Sequence, residues 1–222
     1  MSAPLKSRIL TVAVTGHRLN QLPEAERPRI QAETASCLEA AEQAARKAAQ
    51  SVRCVLVSAI AEGADRYAAD AALARGWRLV TPLPFDVERY EDDFADEASK
   101  EHYRRLLWAS RRVAPVSADA VAAIGGDAAP YAAVGRAIID KADLLLCVWN
   151  GSPPRGPGGT SEVAALMLEK GGIVLWISVG APGVKLVGPA PLPRAGTFRR
   201  KLHEALAEKY ERAARPPEMR VA

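Results

Sequence analysis

A Rossmann-like α/β fold, a parallel sheet with helices on both faces, is what this sequence predicts, on three observations. Short apolar, β-branched runs alternate with longer alanine-rich stretches along most of the 222 residues. The runs are apolar at nearly every position, as strands covered on both faces must be. The glycine, histidine and arginine residues that break the rhythm collect just after the runs, where an open parallel sheet binds its ligands.

The elements follow in order. Residues 9–15 (ILTVAVT) read as a first strand, and 28–49 as a helix with Ile30, Thr34, Cys37, Leu38, Ala41, Ala45 and Ala48 on one stripe. Residues 52–58 (VRCVLVS) make a second strand, 65–75 a short alanine-rich helix, and 78–83 (RLVTPL) a third strand. Residues 130–141 are helical with Pro130 at the favoured first position, and 143–149 (DLLLCVW) form a fourth strand. A helix over 161–170 ends at Gly171-Gly172, and 173–178 (IVLWIS) form a fifth strand. Two regions depart from this alternation. Residues 86–128 exceed what one crossover needs and read as a helical insertion after the third strand, with Tyr90 and Phe94, then Tyr103 and Leu107, at helical spacing. Residues 181–222 read as a Pro/Gly linker and a basic C-terminal helix, which leaves residues 1–180 as the principal domain.

The chain carries 30 Lys and Arg against 26 Asp and Glu, a net charge of +4. The whole excess lies beyond residue 193, so the body is neutral and no nucleic-acid-binding face is expected from charge. Cys37, Cys54 and Cys147 are widely spaced and fit neither a disulfide framework nor a metal site; they read as buried small hydrophobes in a reducing compartment. No metal is expected. The start of the chain lacks a signal-peptide core and no apolar run reaches spanning length, so a cytoplasmic protein without membrane contact is the expectation.

The candidate site residues stand at the strand ends. Gly158 and Gly159 precede a helix, where close backbone approach and unpaired N–H groups suit a phosphate. Thr160 caps that helix or bonds a phosphate oxygen, with Ser161 beside it, and Glu162 suits the helix dipole or does chemistry. After the first strand, Gly16 permits a tight turn, His17 donates to a ribose or phosphate oxygen or to a loop carbonyl, and Arg18 pairs with phosphate. After the second strand, Ser58 ends the run, Gly63 relaxes the turn, Glu62 faces the crevice, and Asp65 is a helix cap or a ligand contact. Trp149 ends a strand and can stack on a base, whereas Trp77, Trp108 and Trp176 read as packing residues. Arg18, Arg136 and Arg155 are expected to converge on the strand ends.

The runs VAVTGHR, SAIAEGADRYAADAAL, YAAVGRAIIDKADLLLCVWNG and RGPGGTSEV together resemble the SLOG superfamily over residues 8–178. That superfamily unites the Smf/DprA proteins, the LOG phosphoribohydrolases and nucleotide-sensing domains, and the likeness is greatest to stand-alone bacterial members. The resemblance implies a phosphate seat at Gly158, Gly159 and Thr160, and matches the segment 58–65 to a Ser-Gly-x-Ala-x-Gly-x-Asp pattern with Ala59 in place of the first glycine. It implies catalytic roles for Glu162 and Arg136, by analogy with the LOG motif PGGxGTxxE, which is here shortened to Pro-Gly-Gly-Thr-Ser-Glu. One missing residue turns a helical side chain by about 100°. It also implies a homo-oligomer.

Three readings result. The first is binding of a nucleotide or nucleotide-derived ligand, a nucleoside phosphate or an ADP-ribose-like molecule, with no further cofactor required. The second is an enzyme, a phosphoribohydrolase cutting the N-glycosidic bond of a nucleoside monophosphate. The third is DprA-like single-stranded DNA binding.

Overall fold

A computed structural model of the chain describes residues 8–49, 51–94, 96–153, 157–188 and 198–214. Seven strands form one sheet: β1 (Arg8–Gly16), β2 (Val52–Val57), β3 (Arg78–Leu83), β4 (Arg112–Pro115), β5 (Leu144–Trp149), β6 (Ile173–Ser178) and β7 (Val184–Val187). Their order is β4-β3-β2-β1-β5-β6-β7, with every pairing parallel except the last. From β1 the chain steps outward to β4, then returns to lay β5 on the other side of β1. The sheet therefore reverses its winding between β1 and β5, which is where a crevice opens in such folds.

Alternate strand residues feed two core layers, as the pleat requires. Leu144, Leu146 and Val148 join Leu10, Val12, Val14 and Leu56 in a layer shared with α1 (Arg27–Ala48) and α2 (Ala64–Ala74). Leu145 and Cys147 face the other way, into a smaller layer with Ala13 and Val174 under α6 (Ala129–Ile139) and α7 (Thr160–Glu169). This double cover explains the continuous apolar runs. The three cysteines are buried and free, and burial pushes the thiols of Cys37 and Cys147 up to about 12. Among the described residues, no helix is long and apolar enough to cross a membrane.

Both irregular regions contribute more to the fold than the sequence suggested. The segment after β3 holds α3 (Val87–Glu91), α4 (Glu97–Ala109) and α5 (Ala118–Ala122), but it also supplies edge strand β4, whose four residues pair with β3. Of the expected linker, residues 184–187 instead form β7, antiparallel to β6. The C-terminal helix α8 (Phe198–Ala214) is no detached tail: Leu202, Leu206 and Tyr210 are buried in the main core beside α1. Lys209 Nζ pairs with Asp143 at 3.0 Å, which anchors part of the basic surplus on the body of the domain.

Glu42 on α1 is the main polar fastening in this layer. Its carboxylate accepts from Arg46, from Arg75 at 2.9 Å and from the buried Trp77 indole at 3.1 Å. Glu42→Ala would orphan the Trp77 N–H and uncouple Arg75, a loss of about 2 kcal/mol. Thermal unfolding should show a melting temperature lower by roughly 4–8 °C.

Candidate functional site

A cleft of about 830 Å³ opens at the carboxyl ends of the strands, over the switch point between β1 and β5. Gly16, His17, Arg18, Asp65, Trp149, Gly158, Gly159, Thr160 and Ser161 all line it, drawn from four separate stretches of chain.

The glycine turn forms one wall of the cleft. Gly158 holds φ +79°, and a Cβ there would come within 2.6 Å of Ala132 N, so only glycine lets the turn press against α6. Gly159 is the N-cap of α7, and Thr160 is the first helical residue rather than its cap. The first helical bond runs from Val163 N–H to the Gly159 carbonyl at 3.1 Å. The amides of Thr160 and Ser161 precede it, and amides of a first turn have no acceptor within their own helix. Glu162 is turned from the cleft: its carboxylate folds back to accept from Gly158 N–H at 2.6 Å, which stiffens the turn.

At the end of β1, Gly16 sits where a Cβ would meet Ala64 Cβ at 2.5 Å and the Val148 carbonyl at 2.8 Å. His17 is fixed from two sides: its N–H donates to the Val148 carbonyl at 2.9 Å, and its Nε2 accepts from Asn150 N–H at 3.3 Å. Arg18 lies over the Tyr131 ring and pairs with Asp93 at 3.4 Å. Burial works against its charge, but Tyr90 and Asp93 outweigh that and raise its pKa above the usual arginine range.

The segment after β2 divides between scaffold and cleft. Ser58 is fully buried and its hydroxyl oxygen accepts from Ile60 N–H at 3.0 Å. Gly63, at φ +85°, lets α2 touch the β1 loop, and Ala64 N–H donates to the His17 carbonyl at 3.2 Å. Neither Ser58 nor Gly63 lines the cleft; they hold its walls. Glu62 does not face the crevice either, because its carboxylate accepts from the Ser99 hydroxyl of α4. Asp65 lies in the first turn of α2, whose N-cap is Gly63, so it lines the cleft without being the cap residue.

Arg136 is exposed on α6 and stands outside the lining, and Arg155 lies outside the described residues. The predicted convergence of three arginines is thus reduced to Arg18 among the described residues. Trp149 does line the cleft, its ring 5.4 Å from that of Trp176. Trp108, read as a packing residue, is instead 90% exposed on α4, because the buried face of that helix is the one carrying Tyr103 and Leu106.

The sequence reading missed the contribution of the insertion and of α6. Tyr90, Pro84 and Tyr131 also line the cleft. Asp93 ties Tyr131 to Arg18 and Arg89, accepting from the Tyr131 hydroxyl at 2.7 Å, from Arg18 and from Arg89 at 3.2 Å. The one available signal was the acidic run at 86–97 so near a strand end; its partners lie far away in sequence.

Fold and cleft together define an open α/β domain with a crevice at its topological switch point. The chain matches no protein-family model and no curated protein. Among solved structures it is similar to DprA from Streptococcus pneumoniae, at 15% identity and a TM-score of 0.48, covering 93% of this chain and 57% of that one. It is similar to the single-stranded-DNA-binding DprA from Helicobacter pylori, at 19% identity and a TM-score of 0.47, covering 75% of this chain and 64% of that one. A third is the Moco carrier protein of Chlamydomonas rheinhardtii, at 15% identity and a TM-score of 0.39, covering 75% and 74%. This chain thus spans about three fifths of each DprA. The Rossmann-like fold rests on the strand order given above.

Proposed function

We propose that the chain binds a nucleotide or nucleotide-derived small molecule, a nucleoside phosphate or an ADP-ribose-like ligand, in this cleft. The observation that carries the reading is the joining of four features in one cavity. A glycine turn at a helix N-terminus, a guanidinium (Arg18), an imidazole (His17) and a half-buried indole (Trp149) all face it. Helix N–H groups and Arg18 suit a phosphate, His17 a sugar or phosphate oxygen, and Trp149 the face of a base.

The hydrolase reading is weaker, because the Glu162 carboxylate is bonded to Gly158 N–H and Arg136 stands outside the lining. Both readings are tested by one panel of nucleoside mono- and diphosphates and ADP-ribose. At a hundred times its dissociation constant a binder stabilises by about 2.7 kcal/mol. The melting temperature should then rise by roughly 5–10 °C, with no free base appearing by chromatography. A panel that leaves the melting temperature unmoved removes the binding reading; released base revives the enzyme.

A further inference from the structure

Asp65 is the one acidic residue that lines the cleft among those described, and a carboxylate inside an anion site is an electrostatic conflict. The local structure holds it there all the same. Asp65 is 7% exposed, and its carboxyl accepts from the Ser58 hydroxyl and the Ala61 amide. The loop that aims these donors is itself strained. Ile60, β-branched and fully buried, holds φ +52°, and its N–H is tied to Ser58 Oγ. The charged and titratable groups facing Asp65 are Arg18 from the β1 loop, Arg66 from α2 and Tyr90 from α3. Both arginines are engaged elsewhere: Arg18 with Asp93, and Arg66 with the Ile60 and Ser99 carbonyls. Burial outweighs the two donors and the two cations, and pushes the carboxyl up to about 7.

We propose that Asp65 couples ligand charge to proton uptake: when a phosphorylated ligand occupies the cleft, the Asp65 carboxyl is neutral and donates a hydrogen bond to it. The proposal rests on the nucleotide reading above and makes Asp65 a determinant of which anions the cleft accepts. The chemical change is one proton taken from solvent by the carboxylate; no bond to the ligand forms or breaks. The sign follows. Below the raised carboxyl pKa the cleft is ready for an anion. Above it, each unit of pH costs binding up to tenfold, because a proton must first be recovered.

The test compares wild type with Asp65→Asn, whose amide mimics the neutral acid, by calorimetric titration with adenosine 5′-monophosphate. The phosphate's own ionisation cancels in the ratio of the two dissociation constants. That ratio should be near one at pH 6 and about tenfold in favour of the variant at pH 8. His17→Gln removes the imidazole that shares the cleft with Asp65: it should weaken binding yet keep the wild-type pH slope. Should Asp65→Asn fail to fold, Ser58→Ala serves, since removing a donor to the carboxylate moves the midpoint of the pH profile upward. A ratio that does not change with pH, a slope that disappears in His17→Gln, or a midpoint unmoved in Ser58→Ala overturns the proposal and leaves the nucleotide reading standing. Failure of every nucleotide to bind at both pH values removes that reading itself.

Discussion

Gly63→Ala is expected to destabilise the protein by about 4 kcal/mol, the largest stability loss we foresee from adding a single methyl group. Two costs add. Gly63 holds φ +85° and ψ −124°, a backbone conformation that side-chain-bearing residues occupy only at about 1–3 kcal/mol. The new Cβ would also lie 2.6 Å from the His17 carbonyl oxygen, 2.7 Å from Leu19 N and 2.8 Å from the Arg18 carbonyl carbon. All three are backbone atoms, so no side chain can swing away, and overpacking of that kind costs about 1–3 kcal/mol more. The melting temperature should fall by roughly 10 °C. Gly76→Ala is the matched control, with φ +73° but nothing within 4 Å of its Cβ, so it carries backbone strain without the clash. Equal melting temperatures for the two variants would mean that the α2 loop and the β1 loop do not touch as described. Because those loops carry Arg18 and Asp65 to the cleft, Gly63→Ala should weaken nucleotide binding as well.

The parts of the molecule that were legible in the sequence are those whose cause is local. A run such as Leu144–Val148 can be apolar throughout only if both faces of the strand are covered, and it is the most buried strand of the sheet. The Gly158-Gly159 turn was legible because a helix start and a need for positive φ both leave marks within a few residues. What depended on partners distant in the chain was not legible. Glu62 and Glu162 have the residue type of catalytic groups, but their carboxylates are taken up by the Ser99 hydroxyl and the Gly158 amide, and neither residue lines the cleft. Tyr131 lines the cleft with its hydroxyl held by Asp93, 38 positions away in sequence. Strand β4 escaped because Arg112–Pro115 is four residues long and ends in proline, so its strand character comes from pairing with β3 rather than from its own residues. The C-terminal helix had the right amphipathic stripe; its polar-rich face suggested solvent, but three buried side chains fasten it to α1.

Gly159→Asp is expected to separate folding from binding with opposite signs. Gly159 is the N-cap of α7 at φ −71° and ψ 159°, extended backbone that any residue adopts, so aspartate enters without conformational strain. At an N-cap a carboxylate that accepts from the first-turn amides is better than glycine by a few tenths of a kcal/mol. The variant should therefore melt at or slightly above the wild-type temperature. The same carboxylate takes the place of the ligand's phosphate, satisfying the amides of the first turn of α7 and setting a negative charge where an anion must enter. Two like charges about 4 Å apart near a protein surface repel by up to about 4 kcal/mol. Nucleotide affinity should fall at least 100-fold, or about 2.7 kcal/mol, enough to abolish the nucleotide-induced rise in melting temperature. Gly159→Asn keeps the cap without the charge and should retain much more of the affinity, since its side chain competes for the amides but does not repel the ligand. If Gly159→Asp instead keeps the full nucleotide-induced shift, the phosphate does not sit on this turn. Arg18 and the insertion would then be the place to look for it, because Arg18 is the one described arginine in the lining and its partner Asp93 connects it to both Tyr131 and Arg89.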